Sequence, residues 1–416
     1  MTQIRTEART FMKNSILLIT YHFLPDSNGG VGRSSSLYRY LPLYGINPII
    51  LTHNDYGKRK DDHNIIRCGS LSNWRSNGII SKKVFLKIIS KILNTLGLFI
   101  QSDFVWQRNV MKVADTIISK YKIEALYSTY PEIDALMLGL LLSEKHNLPL
   151  LTEFRDGLVF EPLCKYNRIQ KGRIERIEKS IIDSSKAVVT IGSNLSQYFH
   201  ERYHMDRVFT VYNGYDPHDF EGLDGIRRQK TDKTRIAYFG GFSKSRPTNI
   251  RPFLKAIKRL KDDELIKGNT FEISLIGNYT RGEHRLVQGS NVGDIIKFYP
   301  PMNKQEGFRK LVSEYDFLLF HGVRGKQTII SSKLLEYINL GKPIIGICKG
   351  NEAEEIIART GTGEVCDFDV DSIYTLFVKF IEGRYRYNPN ELEIEKYDRR
   401  VQTSQIADII NDNLVN

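Results

Sequence analysis

Six consecutive residues, Ser331-Ser332-Lys333-Leu334-Leu335-Glu336, have the types and spacing to hold a nucleoside diphosphate. They come after the apolar run Phe317-Leu318-Leu319-Phe320 and a polar loop, and open a short amphipathic helix that stops at Gly341. Free backbone N–H groups and the positive end of the helix dipole suit a phosphate at such a start. The N–H groups around Ser331, Ser332 and Leu334 and the Lys333 ammonium would carry the phosphates. Glu336, one turn further in, can accept two hydrogen bonds from a ribose diol. Pro343 then leads into a second apolar run, Ile344-Ile345-Gly346, so the helix start faces the carboxyl edge of a parallel sheet, where open α/β folds bind ligands. Just upstream, Gly322-Val323-Arg324-Gly325-Lys326-Gln327-Thr328 echoes a P-loop. A P-loop needs four residues between its glycines and a Ser or Thr after the Lys; here there are two residues and Gln327. That loop reads either as a phosphate contact through Lys326 or Arg324 or as a solvated basic loop.

A second group lies in the first half. Arg155-Asp156 ends the apolar run that begins at Leu150, and reads either as a catalytic carboxylate beside a binding arginine or as a structural ion pair. His22 stands just past the first apolar run and is as much a core histidine as a catalytic one. Gly29-Gly30-Val31-Gly32-Arg33 opens directly onto a helix, because Leu37, Tyr40, Leu41 and Tyr44 fall at i, i+3, i+4, i+7. It is not a dinucleotide fingerprint: the third glycine is Ser35, and Tyr21 to Asn28 separate strand from glycines. His200-Glu201-Arg202-Tyr203-His204 and Asp367-Phe368-Asp369-Val370-Asp371 have metal-ligand spacings. The first has Glu221, beyond the next strand, as its third ligand, and both read as solvated runs. No metal site is expected.

The elements that position these residues are legible as short apolar runs alternating with helical patterns, which argues for parallel sheets covered by helices. Strands are expected at 16–20, 49–52, 125–128, 150–154, 188–191 and 208–211, then at 236–239, 273–276, 296–299, 317–320, 344–347 and 364–366. At 416 residues the chain suits two domains, and 41% hydrophobic residues can fill both cores. The charged, glycine-bearing stretch from Asp216 to Thr234 separates them.

The 331–346 segment resembles the donor-sugar loop of the family 4 glycosyltransferases, retaining enzymes of GT-B fold that use nucleotide sugars. The resemblance runs from about Ile16 to the C-terminus. Tyr21-His22-Phe23-Leu24-Pro25 with Gly29-Gly30-Val31-Gly32-Arg33 resembles the family's first strand and glycine-rich acceptor loop. Ser128-Thr129-Tyr130-Pro131 with Thr152-Glu153-Phe154-Arg155-Asp156 resembles its SSPP and DxRD pair, and Asn213-Gly214-Tyr215-Asp216 its turn before the linker. Tyr238-Phe239-Gly240-Gly241 resembles the start of its second domain. The family's first Glu, eight residues before Glu336, is Thr328 here, which puts the usual contact to donor-sugar hydroxyls in doubt.

The resemblance implies an α/β fold of GT-B type, two doubly wound Rossmann-like domains facing a central cleft. The acceptor domain spans 14–215, the linker 216–234, the nucleotide-sugar domain 235–386, and a C-terminal helix at 387–416 crosses back. It implies donor binding at Gly240, Gly241, Arg246, Lys326, Ser331, Ser332, Lys333, Leu334 and Glu336. Catalysis falls to Asp156 and His22, and the acceptor or phosphate loop to Gly29, Gly30, Arg33 and Arg155. No cofactor or metal is implied. The runner-up is a nucleotide-sugar 2-epimerase of the same fold.

Sixty Lys+Arg against 48 Asp+Glu give +12, which favours an anionic partner. The basic residues are spread along the whole chain with no RNA-binding signature, which argues against nucleic acid. One segment concentrates them: from Lys82 to Ile100, Lys82, Lys83, Lys87 and Lys91 lie beside Phe85, Ile88, Ile89, Ile92 and Leu96. Basic residues beside a broad apolar face describe either a helix lying on an anionic membrane or a core helix with a polar back. The first alternative implies a lipid-linked glycan acceptor. No run approaches the roughly 20 apolar residues of a spanning helix. The first 14 residues lack the apolar core of a signal peptide, and the four cysteines are scattered, so a cytoplasmic protein, working at the inner face of the membrane, is expected.

Overall fold

The computed structural model describes residues 14–26, 30–54, 62–70, 103–160, 166–229, 231–241, 249–324 and 330–414. The chain divides into two compact units, Met1–Tyr212 with Gln402–Asn416, and Asn213–Val401.

In the first unit the chain runs β1 (Asn14–Thr20), α1 (Val31–Tyr40), β2 (Ile46–His53), β3 (Ile65–Cys68), α2 (Phe104–Tyr121), β4 (Ile123–Tyr130) and α3 (Ile133–His146). It continues through β5 (Leu150–Phe154), α4 (Arg168–Ser184), β6 (Ala187–Thr190), α5 (Ser193–Tyr203) and β7 (Val208–Thr210). The seven strands are all parallel, in the order β3-β2-β1-β4-β5-β6-β7. Helices cover both faces, so the central strand is an unbroken apolar run and not an alternating one: Ile16 to Ile19 are wholly buried. Ile16 and Leu18 face Leu37 and Leu41, while Leu17 and Ile19 face Trp106 and Leu138. After Tyr40 the helix tightens into a 3₁₀ turn at Leu41–Tyr44, because Pro42 has no N–H for an α-helical bond.

The second unit runs β8 (Thr234–Phe239), α6 (Arg251–Asp262), β9 (Phe271–Ile276), α7 (Arg281–Gly289), β10 (Ile296–Tyr299), α8 (Lys304–Glu314) and β11 (Phe317–His321). Then come α9 (Ser332–Tyr337), β12 (Ile344–Ile347), α10 (Glu352–Thr360), β13 (Gly363–Cys366), α11 (Val370–Ile381) and α12 (Glu391–Glu395). Its six parallel strands are ordered β10-β9-β8-β11-β12-β13. Segment 216–234 belongs to this unit and begins with a 3₁₀ turn, Pro217–Phe220.

The last helix, α13 (Arg399–Leu414), joins the first unit from Gln402 onward and seats Ile406, Ala407, Ile409 and Ile410 in the core beside Ile16 and Leu18. The twelve strands expected from apolar runs are all present, and β3, a short half-buried edge strand, is the addition. Both sheets reverse their winding once, between β1 and β4 and between β8 and β11, and in a doubly wound sheet that switch point is where a ligand crevice opens.

Candidate functional site

In the second unit the switch point is lined by the residues after β8 and β11. Gly240 has φ +108, a conformation a side chain resists, and its N–H donates to Ile276 O at 2.7 Å. A Cβ on Gly241 would fall 2.6 Å from Asn278 O, and one on Gly277 would fall 2.7 Å from Gly240 C. The loops after β8 and β9 therefore touch backbone to backbone, which only glycines permit. Tyr279 locks the contact by donating its hydroxyl to Gly240 O at 2.8 Å.

Across from this turn, α9 carries Lys333 and Glu336. The Lys333 ammonium lies 3.8 Å from the centroid of the Tyr238 ring, and both Nζ and Cε lie 3.1 Å from where a Gly240 Cβ would be. Burial pulls this ammonium down to about 7, against an opposing pull from Glu336. A cation half-discharged near neutrality, held over an aromatic face, is poised to gain its proton when an anion arrives. His321, at the end of β11, is pushed by burial to about 4 and is neutral. Ser331 and Ser332 are exposed, and Ser331 caps α9 without a side-chain bond. Leu334 points into the core. Glu336 is buried, and its Oε1 lies 2.5 Å from the Nζ of Lys304, which also donates to Asp219 Oδ2 at 3.2 Å.

Gly240, Gly241, Lys333 and Glu336 are thus brought to one end of one sheet. Arg246, Lys326 and Thr328 lie outside the described residues. Lys304 and Asp219 were not singled out by sequence, and Tyr238 was noted only as the opening of the second domain's first motif. A lysine at the first position of an amphipathic helix carries no signal that distinguishes it from a surface residue.

The first unit's switch point is lined by the residues after β1, β4 and β5. His22 Nδ1 lies 2.6 Å from Asp26 Oδ2, and Nε2 lies 3.6 Å from Glu132 Oε1. Burial lowers this imidazole's affinity for a proton, but the two carboxylates outweigh it, so His22 titrates above the ordinary value. His53 joins the cluster, with ligand atoms of His22, Asp26 and His53 all within 4.8 Å of one another, a grouping that could take a metal ion. Two ligands on a tetrahedral zinc stand ~3.3 Å apart. At 2.6 Å, His22 and Asp26 are hydrogen-bonded to each other instead.

Arg155 is buried; its Nε donates to Tyr130 O at 2.6 Å and its Nη1 to Gly30 O. A Cβ on Gly30 would meet Nη2 at 2.8 Å, so the glycine at the start of α1 makes room for Arg155. Asp156 is half-buried and interacts electrostatically with Arg155. Arg33, expected in a ligand loop, sits inside the fold. It donates to Glu153 Oε1 at 2.9 Å, Tyr212 O at 2.7 Å and Val211 O at 3.0 Å. Gly29 lies outside the described residues, as does 82–100. The H-E-x-x-H run breaks up because His204 leaves α5 in a left-handed conformation, and His200 and His204 are exposed. Of the acidic triplet, Asp369 caps α11, Asp371 pairs with Arg259 and Asp367 with Arg324.

No family model and no curated protein matches the chain by sequence. Solved structures do match over the whole chain. Sucrose-phosphate synthase of Thermosynechococcus elongatus superposes with a TM-score of 0.65 at 13% identity, covering 96% of this chain and 99% of that one. Anabaena HepE, in complex with UDP, gives 0.58 at 14% identity over 96% and 100% of the two chains. The fold is GT-B. The UDP-GlcNAc 2-epimerase of Methanocaldococcus jannaschii shares this GT-B architecture, with a TM-score of 0.53 at 11% identity over 96% and 100%. At such identities the likeness is one of GT-B fold alone, spanning transferases and epimerases.

Proposed function

We propose that the chain is a glycosyltransferase, moving a sugar with retention from a nucleoside-diphosphate sugar to an acceptor hydroxyl. The observation that carries this is the placement of Lys333 and Glu336 on α9 at the switch point of the second unit, against the Gly240 turn. As the sugar–phosphate bond breaks, charge builds on the leaving diphosphate. Lys333, the N–H groups at Ser331 and Ser332, and Arg246 and Lys326 from outside the described residues, would take up that charge. Glu336 would hold the ribose. In the first unit Asp156 would orient the acceptor hydroxyl, with His22, whose proton affinity is raised by Asp26 and Glu132, at the carboxyl edge of the same sheet. This chemistry asks for no metal.

The acceptor proposed is a lipid-linked glycan of bacterial surface-polysaccharide assembly, met at the cytoplasmic face of the membrane through segment 82–100. Among the described residues no helix is long and apolar enough to cross a membrane. The 2-epimerase reading draws support from the same fold likeness. A panel of UDP, GDP, ADP and their sugars in calorimetry, then product analysis without acceptor, separates the two. Free epimerised sugar nucleotide would overturn transfer, and no nucleotide binding would overturn both.

Asp156→Asn is expected to lower transfer on the order of 10²-fold or more, while calorimetry finds nucleotide affinity unchanged. A lost melting transition in place of lost turnover would instead make Asp156 the structural partner of Arg155. Donor binding should also depend on pH. Above about pH 7 the Lys333 amine is neutral in the unliganded site, so binding a diphosphate must take up a proton. Affinity therefore falls as pH rises past 7, approaching about tenfold per unit, and Lys333→Met gives a flatter profile.

A further inference from the structure

Lys304 is absent from the donor-loop pattern, yet among the described residues it is the cation paired with Glu336. We infer that Lys304 is the positioning residue of the ribose carboxylate. This rests on the donor-site reading above.

The geometry has three parts. Glu336 is buried at the base of the site, with a side chain 9% exposed, whereas that of Lys304 is 46% exposed. Lys304 reaches this carboxylate from the first position of α8. Its 2.5 Å contact is to Oε1, and a carboxylate oxygen has two lone pairs, so one ribose hydroxyl can still bond there and a second at Oε2. The ammonium is itself fixed, because Asp219, on the 3₁₀ turn Pro217–Phe220, takes another of its protons at 3.2 Å. Burial works against the charge on Lys304, but Glu336 and Asp219 more than restore it, so the ammonium stays charged across the neutral range.

Glu336 has three side-chain torsions and a short helix beneath it. Without Lys304 nothing among the described residues sets the plane of its carboxylate. A carboxylate oriented in advance discriminates a ribose diol from a deoxyribose, because one of its oxygens would then be left unbonded in a closed site. Lys304 therefore governs sugar selectivity in the nucleotide. It acts through Glu336, without touching the phosphates.

The test compares, by calorimetry, whichever of UDP, ADP and GDP binds best with its 2′-deoxy counterpart. Wild type is expected to prefer the ribonucleotide. Lys304→Met should weaken the ribonucleotide roughly five- to tenfold, the worth of about one hydrogen bond, and leave the deoxynucleotide nearly unchanged. Lys304→Arg should restore part of the preference. Asp219→Asn, which leaves the lysine in place but loosens it, should erode the same preference by a smaller factor, and it serves in place of Lys304→Met if that variant does not fold. Equal weakening of both nucleotides, or an unaltered ratio in Lys304→Met and Asp219→Asn, would overturn the inference while leaving the donor site intact. Failure of every nucleotide to bind wild type would instead overturn the donor-site reading.

Discussion

Glu153→Ala destabilises the first unit by about 3–5 kcal/mol, the range for stripping one partner from a buried ion pair. Glu153 lies wholly buried in β5 and accepts three hydrogen bonds, from Arg33 Nε at 2.9 Å, Tyr127 Oη at 2.9 Å and Thr129 Oγ1 at 2.7 Å. Arg33 and Arg155 both bear on it electrostatically. Removing the carboxylate leaves the buried Arg33 guanidinium without its ion-pair partner and Arg155 without one of the two carboxylates that act on it. The loss should spread beyond β5, because Arg33 also holds the chain at Val211 and Tyr212.

The pH dependence of this stability has a definite sign. Burial pushes the Glu153 carboxyl up, but Arg33 and Arg155 prevail and hold it below the ordinary glutamate value. The stabilisation is thus complete above the unfolded-state pKa and disappears as pH falls through the lower folded-state value. Urea titrations from neutral pH into the acid range should show the stability difference between wild type and Glu153→Ala shrinking as pH falls. Parallel curves for the two proteins would show that the ionisation of Glu153 is not linked to folding.

Glu336→Ala should weaken nucleoside-diphosphate binding by roughly 1.5–3 kcal/mol, as expected for hydrogen bonds to a charged group, or about ten- to a hundred-and-fifty-fold. Lys333→Ala should weaken it too, with a different signature. The first variant loses contacts to the ribose, so affinity for a nucleoside diphosphate and for inorganic pyrophosphate diverge less than in wild type. The second loses charge, so its residual binding is less sensitive to salt. Unchanged affinity in both variants would remove α9 from the donor site.

The strands of the fold, and the placing of Lys333 and Glu336 at one sheet end, were readable in the residues for one physical reason. Parallel strands covered on both faces are continuous apolar runs, so Leu17-Leu18-Ile19 and Leu318-Leu319-Phe320 announce themselves. A polar segment after a strand end then stands out by contrast, as Ser331 to Glu336 does. β3 was missed because an edge strand with half-buried residues has no such run. The partners of buried Arg33, expected in a ligand loop, were not legible, for a different reason. Its partners Glu153, Val211 and Tyr212 lie more than a hundred residues away, and no local pattern encodes contacts of that range. Gly30 illustrates the same limit: a glycine that makes room for Arg155 looks, in one dimension, like one that makes room for a phosphate.

The return of α13 to the first unit bears on the order of synthesis. The face of the sheet carrying Ile16, Leu18 and Tyr127 is completed by Ile406, Ile409 and Ile410, which are translated only after the entire second unit. On the ribosome, the first two hundred residues would wait with that apolar surface uncovered while some 190 more are added, at 5–20 residues per second roughly ten to forty seconds. The second unit is thus, in kinetic terms, an insertion within the first, and the nascent chain carries a patch for chaperones to cover until its final helix arrives.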